Sequence, residues 1–153
     1  MEIRSYNQRD REAVIRLMIE LQDYERELEP KHFPGIDVTE KYWDSLLKNK
    51  EQAIFVAEEG GSLVGLCVCV IRHETDLLTP FFNDYAWITE VIVSERYRKQ
   101  KIGAKLVEAA EKYARDKGIK YIGAAALYTN SASQALFNAK GFRKYEVEML
   151  KEI

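Results

Sequence analysis

The sequence predicts a mixed α/β fold, a mostly antiparallel central sheet of about six strands with about four helices on its two faces. Three observations carry this. The stretch "QAIFVAEEGGSLVGLCVCVIRH" holds two β-rich runs broken by Gly60-Gly61, the pattern of a hairpin. The run "AWITEVIV" is apolar almost throughout, as a central strand covered on both faces must be. It feeds a helical pattern and then a second apolar strand, a β-α-β crossover expected to be right-handed.

Taken in order, "EIRSY" is a short first strand. In "RDREAVIRLMIELQDYERELE", Val14, Leu17, Met18, Leu21 and Tyr24 recur at helical spacing, with Asn7 or Asp10 as cap. "PKHFPGID" is a proline-broken loop. "VTEKYWDSLLKNK" is a second helix, with Thr39 as candidate N-cap and Trp43, Leu46 and Leu47 facing inward. The hairpin follows, then "ETDLLTPFFNDY", too polar and proline-broken for a regular element. After the central strand, "GAKLVEAAEKYARDKG" is a helix ending at Gly118, a suitable C′ glycine. "IKYIGAAALY" is a strand, "SASQALFNAKG" a short helix ending at Gly141, and "FRKYEVEML" the last strand. No repeat or Gly/Ser linker interrupts this order, so residues 1–153 are expected to form a single domain.

The chain's 153 residues are 46% hydrophobic and 31% charged, with a formal charge of −2. That balance argues against a nucleic-acid binder working through whole-domain electrostatics. No run approaches the ~18 apolar residues of a membrane span, and "MEIRSYNQRD" has no signal-peptide core. Cys67 and Cys69 share one strand face, about 6.5–7 Å apart, a poor geometry for a bridge. They read as buried, reduced thiols, and a cytoplasmic location is expected. His32 and His73 lack partners at ligand spacing, so no metal site is expected.

The chemistry concentrates in "VIVSERYRKQKIGAKL". A strand entering a helix through a short loop leaves the first helical N–H groups without partners, and with the helix dipole they attract an anion. Arg96, Arg98, Lys99, Lys101 and Lys105 add positive charge to that point. A phosphate group belongs there. Neither the P-loop pattern nor the dinucleotide pattern G-x-G-x-x-G is present, which argues against a kinase and a dehydrogenase.

The segment "ITEVIVSERYRKQKIGAKLVEAA" resembles the acyl-CoA-binding motif of the GNAT acetyltransferases, whose loop reads Q/R-x-x-G-x-G/A. Arg98 fills its first position, Lys101 stands where the first glycine is usual, and Gly103 matches the second. Downstream, "NSASQALFNAKGF" resembles the second family motif, filled by Asn130, Ser133, Leu136, Phe137, Gly141 and Phe142. The resemblance covers the whole chain in element order and implies a GNAT-like fold.

It also implies an acetyl-CoA-dependent N-acetyltransferase that moves the acetyl group directly to a primary amine. The pantetheine arm is expected beside Val91, Ile92 and Val93. The pyrophosphate is expected on the backbone N–H groups of Lys99, Gln100, Lys101, Ile102, Gly103 and Ala104, next to Arg98. Asn130, Ser133 and Phe137 are expected near the distal arm and sulfur.

Transfer needs a base, because an alkylammonium is protonated at neutral pH. Glu90, where the family often carries a carboxylate, is the candidate, set against a glutamate merely satisfied by a neighbour. An oxyanion donor is expected at the N–H of Ile92 or Val93. Many relatives place tyrosine at the position of Phe137, which cannot donate a proton. Tyr128 and Tyr145 read as packing residues, so the acid is unassigned.

The acceptor is expected between "ELEPKHFPGID" and "RHETDLLTPFFNDYAW". Their carboxylates and aromatic rings suit a small cationic amine. A protein or peptide amine, or a non-catalytic acyl-CoA-binding role, are the alternatives. Only one strand is expected after Gly141, where many relatives have a hairpin, so an uncapped sheet edge suggests a homodimer.

Overall fold

In the computed structural model, residues 1–30, 39–73, 84–151 and 153 are described. Five strands form one sheet in the order β1 (Glu2–Ser5), β2 (Gln52–Glu59), β3 (Ser62–His73), β4 (Asp84–Val93) and β5 (Ile122–Ala124). The β1–β2, β2–β3 and β3–β4 pairs are antiparallel and β4–β5 is parallel, as the hairpin and crossover signals predict. Gly60 and Gly61 have φ of 56 and 77, the left-handed pair that a two-residue hairpin turn requires.

Among the described residues, four α-helices flank the sheet. α1 (Arg11–Leu28) and α2 (Thr39–Leu46) cover one face, and α3 (Ile102–Asp116) and α4 (Ser131–Ala139) cover the other. Both cap candidates for α1 act together at a short 3-10 turn, Gln8–Asp10, that leads into it. Asn7 Oδ1 accepts from the Arg9 N–H at 3.0 Å, while Asp10 Oδ2 accepts from the Asn7 N–H at 2.9 Å. Asp10 is buried, and the Arg4 guanidinium at 2.7 Å holds its carboxyl below the usual range. Thr39 is the first helical residue of α2 rather than its cap.

Two cores sandwich the sheet. Val14, Trp43, Val56, Leu66 and Val68 are fully buried under α1 and α2, while Cys67, Cys69, Leu106, Val107 and Ala110 are fully buried under α3. The cysteines are free thiols on one strand face, and burial pushes both up, Cys69 to about 12, which makes them inert.

The sheet departs from regularity where the site lies. Val68 pairs with Glu90 and Cys69 with Ile88, so Thr89 is an extra residue on β4. The bulge reverses the alternation of faces. Ala86 and Ile88 pack under α3, yet Ile92 packs under α1 and α2. Glu90 goes with Ile92. In an unbroken strand it would point into the opposite core.

The expected sixth strand is not found among the described residues. Residues 142–151 pair with no described strand, and 143–151 are exposed throughout. The "FRKYEVEML" pattern is that of a strand, but among the described residues it has no strand to pair with.

Candidate active site

Glu90 sits half-buried on β4 under α2. The Tyr42 hydroxyl donates to its Oε1 at 2.7 Å. Burial pushes the Glu90 carboxyl up to about 7, against the opposing effect of the Tyr42 hydrogen bond, and the nearby charge of Glu25 raises it further. Glu25, half-buried on α1, is itself raised by burial. The bulge residue Thr89 sends its hydroxyl to the Val68 carbonyl at 3.4 Å, anchoring the turn that aims Glu90. A carboxylate poised near neutral pH, aimed by a bulge and held by a phenol, is an arrangement suited to proton transfer.

Beside it the sheet opens. β4 pairs with β5 only through Ala86–Ile122, Trp87–Gly123 and Ile88–Ala124. From Thr89 to Val93 that edge of β4 has no strand neighbour among the described residues. Unpaired backbone N–H and C=O groups at such a break can accept an amide-bearing chain.

The break leads to the basic loop. Lys99 and Lys101 both have positive φ, 62 and 63, a conformation that L side chains rarely adopt. Left-handed residues ahead of a helix turn successive N–H groups toward one concavity, which suits an anion. Arg96, Lys99, Gln100, Lys101 and Lys105 are exposed, while Ile102 is buried in the core. Arg98 differs from its neighbours. Its Nε donates to the Val93 carbonyl at 3.1 Å, and its guanidinium lies 4.7 Å from the Tyr24 ring, tying the loop to β4 and α1. Gly103 and Ala104 form the first turn of α3 and are half-buried, as are Val91 and Val93, whereas Ile92 is buried.

On α4, Asn130 is buried and its side chain caps the helix, accepting from the Ser133 N–H at 3.0 Å. Phe137 is buried in the α3-side core with its ring 5.1 Å from that of Phe142. Tyr128 and Tyr145, expected to be packing residues, are instead 88% and 61% exposed. The α1 end reaches this region, where the Thr129 hydroxyl donates to Glu29 Oε1 at 3.2 Å.

Much of the expected acceptor region (residues 31–38 and 74–83, with His32, Phe33, Asp37, Glu74, Asp76, Phe81 and Phe82) lies outside the described residues. Of the rest, Glu27 is exposed and Trp87 carries the Arg72 guanidinium at 4.8 Å. His73 lies between Asp84 at 2.8 Å and Glu51 at 2.5 Å, and these carboxylates raise its pKa. No group of three metal-ligating side chains occurs among the described residues. Nor is any described helix long and apolar enough to cross a membrane. A cavity of about 790 Å³ lined by Arg16, Glu20 and Arg96 lies between the first half of α1 and the β2–β3 turn, apart from Glu90.

The residues that sequence reasoning missed are Tyr42, Glu25 and the bulge at Thr89. Tyr42 is 48 residues from Glu90, and nothing local marks it.

The profile of the Acetyltransferase (GNAT) family matches residues 17–142. The chain belongs to this family. It is therefore a GNAT N-acetyltransferase with acetyl-CoA as donor. A Bacillus subtilis (strain 168) protein with the provisional name ribosomal-protein-bS18-alanine N-acetyltransferase is 24% identical over 131 residues, 86% of this chain and 80% of that one. The fold matches a tetramutant of the BH1408 protein from Bacillus halodurans, with TM-score 0.88, 18% identity and full coverage of both chains. It also matches AAC(6′)-Iy in complex with a CoA-based bisubstrate analogue, with TM-score 0.76, 21% identity and coverage of 99% and 97%.

Membership of the GNAT family sharpens the question of Lys101. The backbone there adopts φ 63 and ψ 13, which favours glycine, the residue usual at that place in the family loop. Lys101→Gly should raise stability by a net ~0.5–1 kcal/mol, the left-handed strain relieved less the entropy that glycine adds to the unfolded chain. Thermal melting checks this, and no gain would show that the lysine is held without strain. Any fall in CoA affinity that vanishes at high salt measures the lost charge.

Proposed function

We propose that this acetyltransferase acts on the primary amine of a small cationic molecule, with Glu90 as the base. The observation that carries the reading is the Glu90 carboxylate near pKa 7, bonded to Tyr42 and close to a second carboxylate, Glu25, on the α1/α2 face. Bound acetyl-CoA supplies the thioester. Glu90 takes a proton from the acceptor ammonium, directly or through a water, so that the amine lone pair can attack the thioester carbonyl. The N–H of Ile92 or Val93 receives the oxyanion; the carbon–sulfur bond then breaks, and the departing thiolate takes up the remaining surplus proton of the attacking nitrogen, leaving the neutral amide and the CoA thiol.

In this reading the N–H groups of residues 99–104 hold the pyrophosphate, and the opened β4 edge, Val91 to Val93, takes the pantetheine amides. Arg98 and Asn130 are positioning residues, since one is bonded to Val93 and the other caps α4. Ser133 and Phe137 flank the sulfur end. Glu25 holds the acceptor's positive charge, which the Glu25–Glu90 pair favours. The reading also takes residues 1–153 as one catalytic domain, without a metal, in the cytoplasm where its two buried thiols stay reduced.

A second reading, a protein α-amine as acceptor, is favoured by the likeness to the B. subtilis protein named for ribosomal protein bS18. The test is release of CoA thiol with a panel of diamines, aminoglycosides and a peptide beginning with alanine. The small-amine reading expects the diamines or aminoglycosides to be used best, with Glu25→Gln raising KM about tenfold and leaving kcat nearly unchanged. Preference for the peptide would transfer the assignment to the second reading.

A further inference from the structure

Arg72 is the last residue of β3 on the α1/α2 face, two beyond Val70, which is buried in that core. Alternation puts His73 on the opposite face, where it takes up two nearby carboxylates, Asp84 and Glu51. Arg72 is left without one. Its side chain is exposed, and among the described residues its guanidinium meets the Trp87 ring, 4.8 Å away, and no carboxylate.

The sheet sets that ring in place. Trp87 pairs with Gly123 across β4 and β5, and a Cβ on Gly123 would meet Trp87 Cζ3 at 2.6 Å and Cε3 at 2.7 Å. The indole therefore lies over β5 where only glycine leaves room for it. Tyr85 stands edge-on to the indole, with ring centroids 6.2 Å apart. A guanidinium stacked on such a ring keeps its N–H fork available for a planar anion.

The candidate base is close by. Tyr42, which donates to Glu90, packs against the same core as Trp87. Burial and the Glu90 charge push the Tyr42 hydroxyl up, and the Arg72 charge opposes them, so the guanidinium is within electrostatic reach of the phenol. Arg72 is nevertheless not the base's counter-ion, because burial, Tyr42 and Glu25 are what act on Glu90. A free cation beside the seat of an ammonium would repel a plain diamine. It has a use if the acceptor brings its own anion.

We propose that the acceptor carries a carboxylate as well as its amine, and that Arg72 is the specificity-determining residue that binds it. This rests on the reading of Glu90 as base for a small cationic amine, and it narrows that amine to a diamino acid, which keeps a net positive charge. Trp87 and Glu90 are three residues apart on a bulged strand, roughly 8–10 Å, a gap that the side chain of lysine or ornithine spans. The side-chain ammonium then sits at Glu90 and Glu25, the carboxylate lies in the Arg72 fork, and the carbon chain between them crosses the indole.

Lysine against cadaverine, and ornithine against putrescine, form the test, since each pair differs by one carboxylate. Release of CoA thiol should show kcat/KM about tenfold or more higher for the amino acid, chiefly through KM, as a charge-assisted pair provides. Arg72→Gln should bring each ratio to about one, and Arg72→Lys, which keeps the charge but not the fork, should restore part of it. Loss of a merely structural arginine would slow both members alike and leave the ratio where it was, which overturns the proposal. Equal use of the two members by the wild type also overturns it, while leaving the small-amine reading intact. If none of the four is acetylated this proposal falls, and the small-amine reading then stands or falls on the aminoglycosides. Mass spectrometry of the product should place the acetyl group on the side-chain nitrogen. Acetylation of the α-nitrogen would put the carboxylate beside Glu90 instead of at Arg72, and the assignment would be wrong.

Discussion

Glu90→Gln should lower kcat about a hundredfold or more at pH 7 and much less near pH 10, within the range that general bases contribute. In the wild type, kcat should climb with pH through about 7 as Glu90 loses its proton. The variant lacks that limb and rises only as the acceptor itself deprotonates, near 10 for an alkylamine. Tyr42→Phe moves the limb instead of removing it. The phenol stabilises the ionised carboxylate, so its loss should shift the limb to higher pH while leaving the plateau largely in place. A pH–rate profile in which Glu90→Gln keeps the wild-type limb would remove Glu90 as the base.

The same residue should show a cost in stability. Its folded pKa, about 7, is above the ordinary 4.5, so the folded chain binds this proton more tightly than the unfolded chain does. The stabilisation that follows is complete below pH 4.5 and is lost as pH rises through about 7. Above that, ionised Glu90 costs the fold on the order of 3 kcal/mol. Glu90→Gln should therefore melt higher than the wild type at pH 8 and about the same at pH 4, a stability gained where activity is lost.

What could be read from the chain in advance follows from how local each signal is. The Gly60-Gly61 turn, the apolar β4 run and the basic loop before α3 are contiguous stretches with one physical reading each. The face that Glu90 occupies depends on Thr89, and nothing in "WITEVIV" marks that residue as the unpaired one. Reading strict alternation puts Glu90 on the Ile88 side and hides Tyr42. The pairing of Tyr42 with Glu90 joins a helix and a strand 48 residues apart, a contact that only the folded sheet makes. Lys101 is a different case. The missing glycine was visible, but whether the position needs a left-handed backbone is a question of φ, and the value of 63 answers it. In "FRKYEVEML" the period-2 pattern is genuine strand chemistry, but it is paired with no strand among the described residues.

Gly103→Val should weaken CoA binding at least tenfold, while Gly103→Ala should cost severalfold at most. Gly103 is in the first turn of α3, where the N–H groups have no helical partner and, in the proposed function, face the pyrophosphate. A Cβ built there meets Leu136 Cδ2 at 3.2 Å and Val93 Cγ2 at 3.7 Å. Alanine fits if the Leu136 side chain, itself only partly buried, yields a few tenths of an ångström. Valine adds two methyl groups with no room on the α4 side. Either α4 moves away from β4 or the first turn of α3 rotates, and both displace the N–H groups from their common concavity. The overpacking costs about 1–3 kcal/mol in stability, so the variants are compared below their melting points, with CoA titrated by calorimetry. If valine binds CoA as tightly as glycine does, the first turn of α3 is not where the pyrophosphate sits. The basic loop then serves another ligand.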